Sequence, residues 1–261
     1  MNVQVLLFWW LWEYPIKSST VKTIVESYPK CGRRLKFDIG GTIMKGVKAK
    51  KHEFPWMVFL YHFERTGFDV NLKELPEACT ADMNIKEQFS YSDYYEDTTE
   101  TPKEDKHSFC GGSLINPHYV LTAGHCVACR TIEDTAVVFG KNQIQFRAIR
   151  DENFVFLSSI QVYPEYKRGL KLDIKNNPDI ALLRLEIPAV FGPGLNSICL
   201  PLNPNDLYEE QTMIIAGWGL TGHTPDGHPI VSDKLLKTRV EVLPNENCRT
   251  WAGYNFLKRQ V

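Results

Sequence analysis

The residues best placed to do chemistry are a histidine and two cysteines near the middle of the chain. His125 directly precedes Cys126, and Cys110 lies 16 positions before Cys126. A general base must stay within hydrogen-bond reach of its nucleophile, and a disulfide at this spacing would fix the loop that carries the imidazole. The pattern therefore favours acid–base chemistry at His125. The other histidines are interpreted as structural or solvated: His52, His62, His107, His118, His223 and His228.

The segment from Cys110 to Cys126 resembles the histidine motif of the chymotrypsin/trypsin family of serine proteases. Gly124 stands where that family usually has alanine. The resemblance extends over residues 37–261 and includes two later motifs, Ser197–Pro201 and Ile215–Gly219, to which it assigns no catalytic role. The Cys31-Gly linker and the Phe-Pro-Trp-Met segment that begins at Phe54 resemble those of the arthropod cascade proteases in particular.

The family's aspartate motif is matched by Asp179, which directly precedes the apolar run Ile180–Leu185. A carboxylate carried into a buried site must be paired or hydrogen-bonded. The resemblance implies that the partner is His125, whose tautomer the carboxylate fixes during acyl transfer. The separation of His125 and Asp179 is 54 positions, against roughly 45 in the family template. Extra residues around 167–173 account for the difference.

No serine of this sequence lies in the family's Gly-Asp-Ser-Gly-Gly setting. In the template the nucleophile follows the aspartate by roughly 90 positions, which places it beyond Val261. The sequence therefore predicts that the 261-residue chain itself is inactive.

Seven cysteines at wide spacing indicate disulfides and an oxidising compartment, since Cys126 and Cys129 lack the second pair that tetrahedral zinc needs. The resemblance implies the pairs Cys110–Cys126 and Cys31–Cys199, and it leaves Cys248 with a partner downstream. We expect the remaining two, Cys79 and Cys129, to join each other. The family's calcium loop is replaced by Gly140-Lys-Asn142, so no metal site and no cofactor are predicted.

Short β-branched and aromatic runs broken by Gly, Pro and Asn begin at Phe54, and they are typical of an all-β barrel or sandwich. The resemblance implies two antiparallel β-barrels, of which the second is incomplete here. We expect residues 1–36 to be a leader and linker and residues 37–261 to form the protease domain. Strands are predicted at 113–115, 119–121, 136–139, 143–149, 180–185, 213–215 and 237–242, with no long helix.

Two segments leave alternatives open. The apolar run Val5–Trp12 is too short to cross a bilayer, which needs roughly 20 residues, and is either the core of a signal peptide or an apolar tail or misassigned start. The acidic stretch of residues 91–105 is either a solvated loop or a contact surface. Activation after Lys36 would expose Phe37, one residue before the position that the family pattern expects.

A formal net charge of −1 gives no basic field for nucleic acid, and no membrane partner is expected. The leading hypothesis is a secreted, extracellular serine endopeptidase, made as a zymogen. It would act on proteins or peptides with His125 as base and Asp179 as orienting carboxylate, and cascade proteases and serpin-type inhibitors would be its partners. Two alternatives remain: an inactive serine protease homologue that acts by binding in a cascade, and an interaction module that uses residues 91–105.

Overall fold

A computed structural model describes residues 31–33, 46–63, 109–144, 154–166, 178–201, 203, 206–225, 229–244 and 247. Its secondary structure is almost entirely strand, which confirms the all-β prediction. The strands are β1 (Val47–Lys48), β2 (Met57–His62), β3 (Phe109–Asn116), β4 (Tyr119–Thr122), β5 (Thr135–Phe139), β6 (Val155–Val162), β7 (Ala181–Leu185), β8 (Thr212–Gly217), β9 (Leu220–His223), β10 (Pro229–Val231) and β11 (Leu236–Glu241). The helix among these residues is one turn, α1 (Gly124–Val127).

Six strands close into an antiparallel barrel in the order β2-β3-β4-β7-β6-β5. The register pairs Leu60 with Cys110 between β2 and β3, and Leu121 with Leu182 between β4 and β7. Because a closed barrel has no free edge, every strand of it has neighbours on both sides. The barrel therefore holds the ends of β4 and β7, from which the site residues project, in a fixed relation.

Outside the barrel, β1 and the strands after residue 206 form an open three-stranded sheet and a hairpin. The sheet has the order β1-β11-β8, and the hairpin pairs β9 with β10. At the end of β11, Val240 is half-buried between exposed Arg239 and Glu241, whereas the first three residues of the strand are all half-buried. The period of two predicted from the sequence for a strand with one wet face is therefore present only at residues 239–241.

Both faces of β2 are buried, which explains its unbroken apolar sequence. Val58 and Leu60 point into the barrel, where they pack with Leu114, Val137 and Leu183. The alternate residues Phe59 and Tyr61 lie on the outer face and pack under the second sheet.

Trp218 is one of the apolar residues that pack between the barrel and the second sheet. Its ring stands edge-on to Phe59, with centroids 5.7 Å apart and planes at 89°. Edge-to-face aromatic pairs contribute about 0.5–1.5 kcal/mol beyond their area burial. Trp218 belongs to the motif at 215–219 that the sequence marked as non-catalytic.

A buried ion pair also joins the two units. The Nζ atom of Lys237 on β11 lies 2.5 Å from Oε1 of Glu53, and the Glu53 side chain is 1% exposed. The other carboxylate oxygen of Glu53 accepts the backbone N–H of Lys50 at 2.9 Å. No sequence pattern singled out this pair.

Most predicted strands are present, but strands β1, β9 and β10 were not predicted. Gln143 and Ile144 lie outside any extended strand, although Gln143 forms an isolated bridge with Lys234. The rest of the strand predicted at 143–149 lies outside the described residues, as do Val5–Trp12, residues 91–105 and the stretch around Phe37. Strand β6 was missed, although its sequence is rich in β-branched and aromatic residues. Within the described ranges, no helix is long and apolar enough to cross a membrane.

Candidate active site

His125 lies on the one-turn helix α1, directly after β4. The helix is anchored by Val127, which is fully buried in the barrel core, and by the bond from the Ala128 N–H to the Gly124 carbonyl. Burial of Val127 turns the preceding His125 outward, and its side chain is 59% exposed. An exposed imidazole held by a buried neighbour is accessible to a substrate.

Asp179 lies just before β7 and faces α1 across the β4–β7 pair. Its Oδ2 atom is 2.6 Å from His125 Nδ1. Its Oδ1 atom accepts the backbone N–H of His125 at 2.7 Å. The two oxygens thus bind the ring and the backbone of one residue, so that both the position and the rotation of the imidazole are set.

The same carboxylate satisfies one of the first amides of α1. Ala123 at the N-cap position provides no side-chain capping bond, and Asp179 Oδ1 accepts the backbone N–H of His125. Free N–H groups at a helix start need such an acceptor, and a negative charge is favourable there. A residue 54 positions away in the sequence therefore caps this helix.

Burial acts to raise the pKa of Asp179, but the hydrogen bonds from the His125 side chain and backbone oppose it. Together with the charge of His125 and the Gly124 amide they hold the pKa of the Asp179 carboxyl below its ordinary value of 3.8. The carboxylate is therefore ionised at neutral pH. With Nδ1 donating to it, a neutral His125 keeps its lone pair on Nε2, the nitrogen that can accept a proton.

Gly124 has no side chain at a position where the chymotrypsin/trypsin family usually has the methyl group of alanine. An added Cβ there would lie 3.2 Å from Asp179 Oδ1, 3.2 Å from Tyr166 Cγ and 3.3 Å from the Ile180 nitrogen. The ring of Tyr166 thus occupies much of the space beside the carboxylate. Sequence reasoning noted the glycine at position 124 but gave no signal for Tyr166.

A disulfide connects the helix to the barrel wall. Cys110 on β3 is bonded to Cys126 on α1, with Cα atoms 6.1 Å apart. The Cys126 sulfur lies 3.5 Å from His125 Nε2. The cross-link therefore touches the ring nitrogen that does not bind Asp179.

A second disulfide joins Cys31 to Cys199, whose Cα atoms are 5.0 Å apart, and the Gly32 N–H donates to the Ser197 carbonyl beside it. This bond ties an early segment to the motif at 197–201. Cys129 is also disulfide-bonded. Its expected partner Cys79, like Cys248, lies outside the described residues.

The remaining histidines within the described ranges have other surroundings. His62 on β2 is buried, and its Nδ1 lies 3.3 Å from the Thr135 hydroxyl. His52 lies beside Gly194, where an added Cβ would come within 2.7 Å of its ring, and His118 and His223 are exposed. His107 and His228 lie outside the described residues. None of those described approaches Asp179.

The comparisons with known proteins agree with this geometry. The family model described as Trypsin matches residues 86–260, which is more than half of the chain, so the chain belongs to the trypsin family. This confirms the chymotrypsin/trypsin resemblance drawn from the motifs.

Individual relatives are more distant. An ovochymase of Halocynthia roretzi is 28% identical over 141 residues, which make up 54% of this chain and only 8% of that relative. A solved structure described as "Structure of GrC" has 21% identity and a TM-score of 0.52, with 80% of this chain and 70% of that chain covered. An HL collagenase structure has 19% identity and a TM-score of 0.48, with 80% and 66% covered. The GrC likeness supports the fold alone.

Proposed function

We propose that this chain is the part of a serine endopeptidase that carries its general base and its orienting carboxylate. The observation that supports this most is the pair of hydrogen bonds that Asp179 accepts from the ring and the backbone of His125. An aspartate that only capped α1 would need the backbone bond and not the ring bond. The side-chain contact at 2.6 Å is what acid–base catalysis requires.

In this reaction His125 Nε2 takes the proton from a serine hydroxyl as the hydroxyl attacks a peptide carbonyl, and then delivers it to the departing amine. Asp179 remains ionised and stabilises the imidazolium that forms between these steps. The 59% exposure of His125 leaves its outer face open to the substrate. Proteins and peptides are the substrates, and the nucleophile is a serine that follows residue 261.

The setting is a secreted, extracellular zymogen that is regulated by cascade proteases and serpin-type inhibitors. Disulfide bonds at Cys31–Cys199, Cys110–Cys126 and Cys129 support an oxidising compartment. We keep the expectation that residues 1–36 are a leader and linker before a protease domain at 37–261, and that Cys79 is the partner of Cys129.

The second candidate is an inactive protease homologue that acts by binding in a cascade. The sequence feature that favours it is the displaced activation segment, in which cleavage after Lys36 exposes Phe37 instead of an Ile or Val. Retention of both His125 and Asp179 in bonding contact supports the endopeptidase instead, since a homologue that only binds has no need of the pair.

The sequence of the transcript through the codon for Val261 separates these candidates. The proposal expects a Gly-Asp-Ser-Gly-Gly motif in frame, roughly 90 codons after that of Asp179. Glycine in place of that serine would favour the homologue, and a stop codon at residue 262 would favour a protein that acts by binding alone.

A further inference from the structure

Three side chains of metal-ligand type meet at the outer end of α1. They are Cys110, Cys126 and His125, and the two sulfurs and one ring nitrogen all lie within 4.8 Å of one another. In the oxidised protein the sulfurs are joined to each other and offer no thiolate. Metal binding at these residues therefore depends on the redox state of the disulfide.

We propose that cleavage of the Cys110–Cys126 disulfide converts these two cysteines and His125 into a Cys₂His zinc site. A dithiol reductant supplies two electrons and two protons, and becomes a disulfide itself while the S–S bond is broken. The two thiols then release their protons to solvent as they bind Zn²⁺, because the thiolate is the ligand.

The observed distance between one sulfur and the ring nitrogen already matches the distance between two such ligands of a tetrahedral zinc ion. Zinc binds sulfur at about 2.3 Å and imidazole nitrogen at about 2.0 Å, so a tetrahedral angle between them sets the S···N distance at about 3.5 Å. The distance between Cys126 Sγ and His125 Nε2 is 3.5 Å. One sulfur and the nitrogen thus need no rearrangement to share an ion.

The second sulfur needs only a side-chain rotation. Once the S–S bond is broken, the two sulfurs must move apart to about 3.7 Å, the corresponding tetrahedral edge. The backbones of Cys110 and Cys126, with Cα atoms 6.1 Å apart, can stay in place during this change. They are held independently of the disulfide, because Cys110 is paired with Leu60 in the barrel and Val127 is anchored in its core.

The hydrogen bond at the second ring nitrogen of His125 also suits metal binding. Zinc-binding histidines almost always donate their second ring N–H to a carboxylate or carbonyl, which fixes the tautomer and makes the other nitrogen a better ligand. His125 Nδ1 already makes this contact with Asp179 at 2.6 Å. This makes Nε2, which lies 3.5 Å from the Cys126 sulfur, the nitrogen that would bind the ion.

Three protein ligands leave a fourth position for water, the arrangement of an open zinc site. The exposure of His125 gives the ion a path from solvent. A bound zinc would take the Nε2 lone pair that peptide hydrolysis requires, so reduction plus zinc would switch off the enzyme. This last consequence rests on the proposed function, whereas the site itself does not.

Cobalt titration of the full chain tests the site without any activity assay. After reduction with a phosphine, one equivalent of Co²⁺ should give the thiolate charge-transfer and visible bands of tetrahedral cobalt, and added Zn²⁺ should remove them. The oxidised chain should give none. His125→Ala and Cys110→Ser should lower Co²⁺ affinity at least tenfold, whereas His118→Ala and the double variant Cys31→Ser/Cys199→Ser should bind as the parent does.

A second measurement follows the disulfide itself. Because zinc binds only the reduced form, 1 mM Zn²⁺ should shift the Cys110–Cys126 pair toward the thiols at a fixed dithiol ratio, as read by differential alkylation and mass spectrometry. In His125→Ala this shift should be much smaller. Absence of the cobalt bands would overturn the proposal, also where the bands are absent because reduction unfolds the chain. Bands and a redox shift that do not depend on His125 would overturn it as well. Neither result decides the protease proposal, which has its own test.

Discussion

The Asp179 carboxylate binds His125 twice, at the ring through Nδ1 and at the backbone through the amide. One side chain thus orients the imidazole and caps the helix that carries it. The orientation of the base and the stability of α1 are therefore coupled, and a change at Asp179 should affect both.

Replacement of Asp179 by asparagine should destabilise the fold by about 1–3 kcal/mol at pH 7, because charge-assisted hydrogen bonds to α1 are lost. The pKa of Asp179 is lower in the folded chain than its ordinary 3.8. Its contribution is therefore fully present above that value and is lost as the pH falls through the lower folded-state pKa. The difference in unfolding free energy between the parent and Asp179→Asn, from urea melts, should shrink below pH 4. The exposed Asp206→Asn is the control, and a difference that stays constant to pH 2 would contradict the account.

We expect a second pH dependence from His62, which is a basic group whereas Asp179 is an acidic one. Burial, together with the positive charge of Arg130, lowers the pKa of His62 from 6.5 to about 3. The unfolded chain therefore takes up a proton first as the pH falls, and stability should decline by about 1.4 kcal/mol per pH unit between about pH 6 and pH 4. His62→Phe should remove this part of the slope, whereas His118→Phe at an exposed position should retain it. Equal slopes in the parent and His62→Phe would show that another group causes the acid sensitivity.

The surroundings of His62 explain why it stays neutral. Thr135 donates its hydroxyl to Asp134 Oδ1 at 3.0 Å, so its oxygen is available to accept from His62 Nδ1. Asp134 Oδ2 in turn lies 4.0 Å from Arg130. The carboxylate is directed to Thr135 and Arg130, and no acidic side chain among the described residues bonds the imidazole.

The ion pair between Glu53 and Lys237 should stabilise the contact between the barrel and the second sheet only while both charges are present. Lys237→Met removes the ammonium from a carboxylate that is 1% exposed, and loss of one partner of a buried pair costs about 3–5 kcal/mol. The double variant Glu53→Gln/Lys237→Met should recover much of that loss. Unfolding free energies of the four proteins form a double-mutant cycle, and additive effects would show that the pair does not interact.

Gly124 should tolerate a methyl group poorly, since an added Cβ meets Asp179, Tyr166 and Ile180 at 3.2–3.3 Å. Overpacking of this kind costs about 1–3 kcal/mol. We expect Gly124→Ala to lower the melting temperature by several degrees. Gly222→Ala is the matched control, because an added Cβ there has nothing within 4 Å. Equal effects of the two substitutions would mean that Tyr166 moves aside without cost.

The sequence was informative where function depends on a local motif. His125 with Cys126, and Asp179 before an apolar run, could each be recognised within a few residues, and the apolar pattern predicted most strands of the barrel. The contacts of Tyr166 and the pair of Glu53 and Lys237 could not be predicted in this way. They join residues 42 and 184 positions apart (166 − 124 and 237 − 53), and only the folded barrel brings such residues together. Strand β6 was missed because Ser158 and Ser159 interrupt its apolar alternation.

The most direct test of the account is peptide hydrolysis by the protein extended to its downstream serine, after activation, compared with its His125→Ala variant. The account predicts measurable hydrolysis by the parent and a loss of kcat by a factor of about 10⁴ to 10⁶ in the variant, with folding unchanged. Hydrolysis that survives the loss of His125, or an extended and activated parent that cleaves no peptide, would contradict it.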